Sequence, residues 1–194
     1  MMMEQTTLTA LVVYESYFGN TRTIAHAVAE GLRLEGVAPT VQEVSAAVPT
    51  DVTGYHLLVV GGPTHAFGLS RESTRADAER RGASVHQPGL GLREWLGCLP
   101  TPASPLAAAF DTRAEKVRHL PMSAAQAAGR MLKRRGYTLV RKPAGFVVED
   151  VEGPLGCGET ERAIEWGRTV GREAQLHRAA SALDHAHPAR GRTR

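Results

Sequence analysis

At 194 residues the chain is the size of one domain, and 42% hydrophobic with 22% charged content is the balance of a protein that buries a single core. Twenty-three Lys and Arg against twenty Asp and Glu leave a formal charge of +3, a small excess for a nucleic-acid footprint, so nucleic acid is not the expected partner. Two distant cysteines, Cys98 and Cys157, exclude a disulfide scaffold, a zinc ribbon and a thiolate-held cluster, and make a reducing, cytoplasmic compartment the expectation.

The N-terminal stretch Met1-Met2-Met3-Glu4-Gln5 has neither the cationic start nor the apolar run of a signal peptide. The first apolar run, Ala10–Tyr14, is too short to span a bilayer and reads as a buried parallel strand. A helix is expected over 21–35, where Ile24, Val28 and Leu32 recur on one face, with Asn20 as its cap and Gly36 just past its end. A weaker strand follows around 40–44 and a strongly apolar one over 57–60, running into Gly61-Gly62-Pro63.

Residues 69–104 form a connection longer than a compact unit needs: a charged surface helix, a Gly/Pro turn and a half-buried piece around Trp95. Whether this segment acts as a lid or shapes a homodimer is left open by the sequence. Beyond it come a strand over 106–110, a helix over 124–135, an interrupted strand over 137–141 and 146–148, and a closing helix over 159–176. Alternating strands and helices predict an α/β domain over 6–178 with a doubly wound parallel sheet. The remaining 179–194, rich in His, Pro, Gly and Arg, are expected to be a disordered basic tail.

In such a sheet ligands lie beyond the carboxyl ends of the strands, where the winding reverses. The turn after the first strand, Glu15-Ser16-Tyr17-Phe18-Gly19-Asn20-Thr21, puts hydroxyls, a glycine and unpaired N–H groups at a helix N-terminus, which favours a phosphate. No Gly-Lys-Ser/Thr and no G-x-G-x-x-G is present, so a monophosphate is expected rather than a triphosphate or dinucleotide. The turn after the third strand, Pro63-Thr64-His65-Ala66-Phe67-Gly68, adds polar side chains and a ring on a shaped loop, and the two together describe a mononucleotide pocket.

On these two loops the chain resembles the flavodoxin superfamily. The family's phosphate loop runs Ser/Thr-x-Thr-Gly-x-Thr; Ser16, Gly19 and Thr21 match it, and Phe18 replaces the middle threonine. An aromatic before the glycine, and the order Pro63, Thr64, Phe67, Gly68, are similar to the flavin-dependent quinone reductases of that superfamily. The resemblance spans about residues 8–178 and implies a five-stranded sheet of order 2-1-3-4-5 with helices on both faces, and FMN as cofactor. It implies electron transfer, or NAD(P)H-dependent reduction of a quinone or similar small acceptor.

By the same resemblance Ser16, Gly19, Asn20 and Thr21 hold the phosphate, Tyr17 or Phe18 flanks it or packs beneath the loop, and Pro63–Gly68 with Asp111, Thr112 and Arg113 hold the ring. His65, as hydrogen-bond donor, and Arg113, as a cation near a reduced ring, are the candidates for a catalytic part. No Tyr, Trp or Phe occurs in 111–122, where electron carriers of the family usually place one, and 111–142 hold nine Lys and Arg against two acids, unlike their acidic surfaces. The competing reading is a flavin-free module whose basic helix meets an acidic partner.

Overall fold

The computed structural model describes residues 7–65, 68–83, 90–101, 106–119, 122–150 and 152–186, the side chains of 182–186 excepted. Strands β1 (Thr9–Tyr14), β2 (Ala38–Glu43), β3 (Leu57–Pro63), β4 (Leu106–Ala114), β5 (Thr138–Leu139) and β6 (Ala144–Val148) form one sheet in the order β2-β1-β3-β4-β5, with β6 also on β4. Every pairing between them is parallel. Because β5 pairs with Leu106 and Ala107 and β6 with Phe110 to Ala114, the two short strands occupy the fifth position in succession. This is the interrupted strand expected from the sequence.

The helices are α1 (Asn20–Leu34), α2 (Glu72–Arg80), α3 (Leu92–Gly97), α4 (Ala124–Arg134) and α5 (Glu159–Ala186). Side chains alternate across the sheet. Ala10, Val12, Val59 and Phe110 face α1 and α5, whereas Leu11, Val13, Leu58 and Val60 face α3 and α4. Ile24, Val28 and Leu32 of α1 are wholly buried, as their spacing predicts. The α1–α5 contact is backbone-close: a Cβ on Gly31 would lie 2.0 Å from the Ile164 carbonyl oxygen, and one on Gly167 2.3 Å from that of Val28.

Three boundaries differ from the sequence reading. Gly19, not Asn20, precedes the first turn of α1, in a left-handed conformation at φ 85°, and the Asn20 side chain does not cap that end. Strand β4 continues to Ala114, so Asp111, Thr112 and Arg113 are strand residues paired with β3 and β6 rather than a loop. Helix α5 runs on through 179–186, residues assigned to the tail, because its i to i−4 ladder needs no apolar face to continue for two turns. Residues 187–194 of that tail lie outside the described residues.

The connection after β3 contains the two expected helical pieces. Helix α2 is mostly exposed but buries Arg75, and α3 buries Leu92, Trp95 and Leu96 completely, more deeply than a half-buried segment. The Trp95 indole N–H donates to the carbonyl of Ala47 at 2.8 Å, which fixes α3 against the sheet.

Candidate functional site

At the carboxyl end of the sheet the loop after β1, the end of β3 and the end of β4 enclose an open cavity of about 290 Å³. Ser16, Tyr17, Phe18, Asn20 and Thr21 form one side of it, and Pro63, Thr64 and His65 another. Thr112 and Arg113 belong to the third side, which Ala114, Val117, Met122, Val148 and Asp150 complete. Of the expected site residues, Gly19, Gly68 and Asp111 do not line the cavity, and Phe67 lies outside the described residues.

The loop 16–21 leaves its amides open. The N–H groups of Phe18, Gly19, Asn20 and Thr21 have no hydrogen-bond partner among the described residues, while that of Arg22 reaches Ser16 Oγ at 3.3 Å. The left-handed Gly19 turns successive N–H groups toward one point, a concavity that suits an anion at the positive end of a helix. Nothing lies within 4 Å of a Cβ built on Gly19, so the glycine answers a conformational need, not a spatial one.

Two side chains of this loop do other work than expected. The Thr21 hydroxyl is buried 2.8 Å from that of Thr112 and ties the loop to β4. Asn20 donates through Nδ2 to the carbonyl of Glu152 at 3.0 Å and holds the approach to α5. On the other side of the loop lies a second, polar hollow bordered by Tyr14, Arg22, Glu43 and Glu152. Its two carboxylates disfavour a phosphate there.

The loop after β3 is closed by a pair of backbone bonds between His65 and Gly68, each 2.9 Å. The His65 ring packs edge-on against Tyr17 with centroids 5.2 Å apart. Its Nε2 is buried and has no hydrogen-bond partner among the described residues. Burial lowers the His65 pKa below its usual value, Asp77 opposing weakly, so the ring is neutral at pH 7. Thr64 Oγ1 accepts from the N–H of Ala124 at 2.9 Å, which makes this hydroxyl a cap for α4.

Asp111 and Arg113 form a closed unit. Arg113 Nε and Nη2 donate to the two carboxylate oxygens at 2.8 and 2.9 Å, and the N–H of Ala125 donates to Oδ2 at 2.9 Å. Asp111 is wholly buried, and the guanidinium lies so close over Gly145 that a Cβ there would meet Nη2 at 2.3 Å. The cation expected of Arg113 is therefore neutralised beside the cavity.

The sequence reading missed the wall residues Val117, Met122, Val148 and Asp150, and it placed Glu15 in the first turn without giving it a role. Glu15 is buried at the end of β1, accepts from the Tyr17 hydroxyl, and accepts from Ser70 Oγ at 2.7 and 2.9 Å. Burial raises its carboxyl pKa against the opposing effect of those hydrogen bonds, the Leu92 N–H and Arg75. Burial and the adjacent Glu15 carboxylate hold the Tyr17 phenol far above its usual range. A glutamate ending an apolar strand was the available signal.

The flavodoxin family model matches residues 12–92, from β1 into α3. No curated protein matches the chain. Among solved structures it is similar to a flavodoxin from the domain Archaea, at 16% identity and TM-score 0.62 over 87% of this chain and 99% of that one. Flavodoxin 2 of Bacillus cereus gives 15% identity and TM-score 0.63, over 85% and 99%. A flavodoxin, WrbA-like protein from Agrobacterium tumefaciens gives 18% and 0.53, over 88% and 99%. At these identities the structural likeness establishes the fold.

Proposed function

We propose that the chain is a member of the flavodoxin superfamily that binds FMN and works as a redox protein, as an NAD(P)H-dependent reductase of a quinone or similar small acceptor, a reading supported by the family model over residues 12–92 and by the flavodoxin fold. The observation that carries this reading is one cavity bordered both by Ser16, Phe18, Asn20 and Thr21 at the N-terminus of α1 and by Pro63, Thr64 and His65 of the loop after β3. A ligand with a phosphate at one end and a polar ring at the other matches that pairing of a helix N-terminus with a shaped loop.

Bound FMN would supply the electron and hydride chemistry. The amides of Phe18, Gly19, Asn20 and Thr21 would hold its phosphate with the Ser16 hydroxyl, and the cation is replaced by the helix end. Pro63 and Phe18 would border the ring, and His65 would offer one hydrogen bond to its polar edge, as donor or acceptor according to tautomer. Arg113, paired to Asp111, contributes shape rather than charge. The reductase is favoured over a plain carrier by the wall of Ala114, Val117 and Met122, aliphatic where carriers stack an aromatic, which leaves an acceptor room against the ring.

Titration of flavin-stripped protein with FMN, followed by flavin fluorescence quenching with riboflavin as control, tests the reading. FMN is expected to bind at least about tenfold more tightly than riboflavin, a difference of about 1.4 kcal/mol, and Ser16→Ala to shrink that preference. Turnover of a quinone with NADPH then separates reductase from carrier. Binding of neither flavin overturns the reading and turns attention to the exposed cations Arg130, Lys133, Arg134 and Lys142 as a docking face for an acidic partner.

A further inference from the structure

Glu15 collects hydrogen bonds from two segments: Tyr17 donates to it from the loop after β1, and Ser70 donates to it from just beyond the loop after β3. Arg75 of α2 completes the cluster, donating to Ser70 Oγ at 3.3 Å and pairing with Glu94 at 3.1 Å. Arg93 adds a clamp on the same stretch of chain, donating to the carbonyls of Leu69 at 2.7 Å and Ser70 at 3.1 Å. The space is fully used: a Cβ on Gly91 would stand 2.3 Å from Arg75 Nη1 and 2.8 Å from Glu15 Oε1.

Glu15 does not line the cavity, yet Tyr17, which it holds, is the ring against which His65 packs. Ser70, which it also holds, lies two residues past the Gly68 that closes the His65 turn. We propose that Glu15 is a positioning residue that fixes the ring-binding loop from beneath, acting through Tyr17 and Ser70 to hold the His65 ring in place at the wall of the cavity. This deepens the flavin reading and rests on it for the nature of the ligand, but the loop it positions exists without any ligand. A buried acceptor shared by Tyr17 and Ser70 ties the loop after β1 to the chain beyond the loop after β3, because removing it leaves both donors unsatisfied.

The variants are Glu15→Gln, which keeps the shape and removes the charge, and Tyr17→Phe, which removes one hydroxyl and keeps the ring. In the ligand-free protein the His65 ring protons are followed by NMR against pH; Asp77 of α2 is the charged group acting on that ring, and Arg93 of α3 lies beside Gly68 of the same turn. In the native protein the midpoint lies below the 6.5 of an ordinary histidine, and both variants are expected to move it upward as the ring becomes solvated. A purely electrostatic role of Glu15 predicts the opposite direction, since removing a negative charge disfavours imidazolium.

With flavin, both variants are expected to weaken FMN and riboflavin by the same factor, roughly tenfold, leaving their ratio unchanged, whereas Ser16→Ala changes the ratio. Loss of FMN binding alone would place Glu15 with the phosphate loop and overturn the proposal. So would an unchanged His65 midpoint in both variants, whatever their melting temperatures. If the native protein binds neither flavin, the flavin reading falls while the His65 titrations still decide whether Glu15 positions the loop. Should Glu15→Gln fail to fold, Tyr17→Phe carries both readouts.

Discussion

The loop 16–21 and the strand end 111–113 border the same cavity, and both carry short polar residues after an apolar strand. Their polar groups have opposite fates. In the first, consecutive amides have no partner among the described residues. In the second, both oxygens of Asp111 and two nitrogens of Arg113 are consumed by each other and by the N-terminus of α4, and Thr112 is spent on Thr21. Accounting for each donor and acceptor thus separates a surface that awaits a ligand from one that holds the walls in place, where residue type does not.

Substitutions should reveal that division. The largest effect is expected for Asp111→Ala, which strands a mostly buried guanidinium and uncaps α4: a loss of about 3–5 kcal/mol in chemical denaturation, with flavin affinity of the folded protein little changed. A stable Asp111→Ala variant that lost flavin instead would erase the distinction between the two regions. Gly19→Ala is expected to do the reverse, at a cost of about 1–2 kcal/mol for a left-handed alanine but with the preference for FMN over riboflavin abolished in titration. Thr64→Ala removes the acceptor for the Ala124 N–H and should lower stability by about 1 kcal/mol in the same denaturation assay.

The smallest effect concerns pH. The folded pKa of His65 lies below its unfolded value near 6.5, so its contribution to stability is fully present above that pH. As pH falls through 6.5 the unfolded chain takes up a proton that the folded one does not, and stability declines until the folded ring is protonated as well. Melting temperatures between pH 7 and 5 should show this slope, and His65→Gln should remove its share of it.

Much of this arrangement was legible in the sequence. The spacing of Ile24, Val28 and Leu32 marked the buried face of α1, the apolar runs marked β1 and β3, and the glycine-bearing turns that follow them marked two sides of the cavity. What was not legible depended on partners remote in sequence. Asp111 and Arg113 look like loop residues until Gly145 and the start of α4 are brought beside them by the pairing of β4 with β6. The same pairing brings Val148 to a wall that also contains Val117 and Met122, a proximity that no local pattern encodes. Glu15 reads as the polar end of a strand until α2 and α3 fold over it.

The fifth position of the sheet, divided between β5 and β6, bears on how copies of the protein meet one another. Along the outer side of β6 the Val147 N–H donates to Glu159 Oε2 at 2.7 Å, the Val147 carbonyl accepts from Gly156 at 2.9 Å, and the Gly145 carbonyl accepts from Arg162 at 2.6 Å. The first turn of α5 and the residues before it therefore occupy the ladder positions that a strand from a neighbouring molecule would need, and β5 offers only Thr138 and Leu139 beside them. At the opposite margin Pro39 breaks the run of amides in β2. Both margins of this open parallel sheet are therefore poor templates for strand addition by a second molecule.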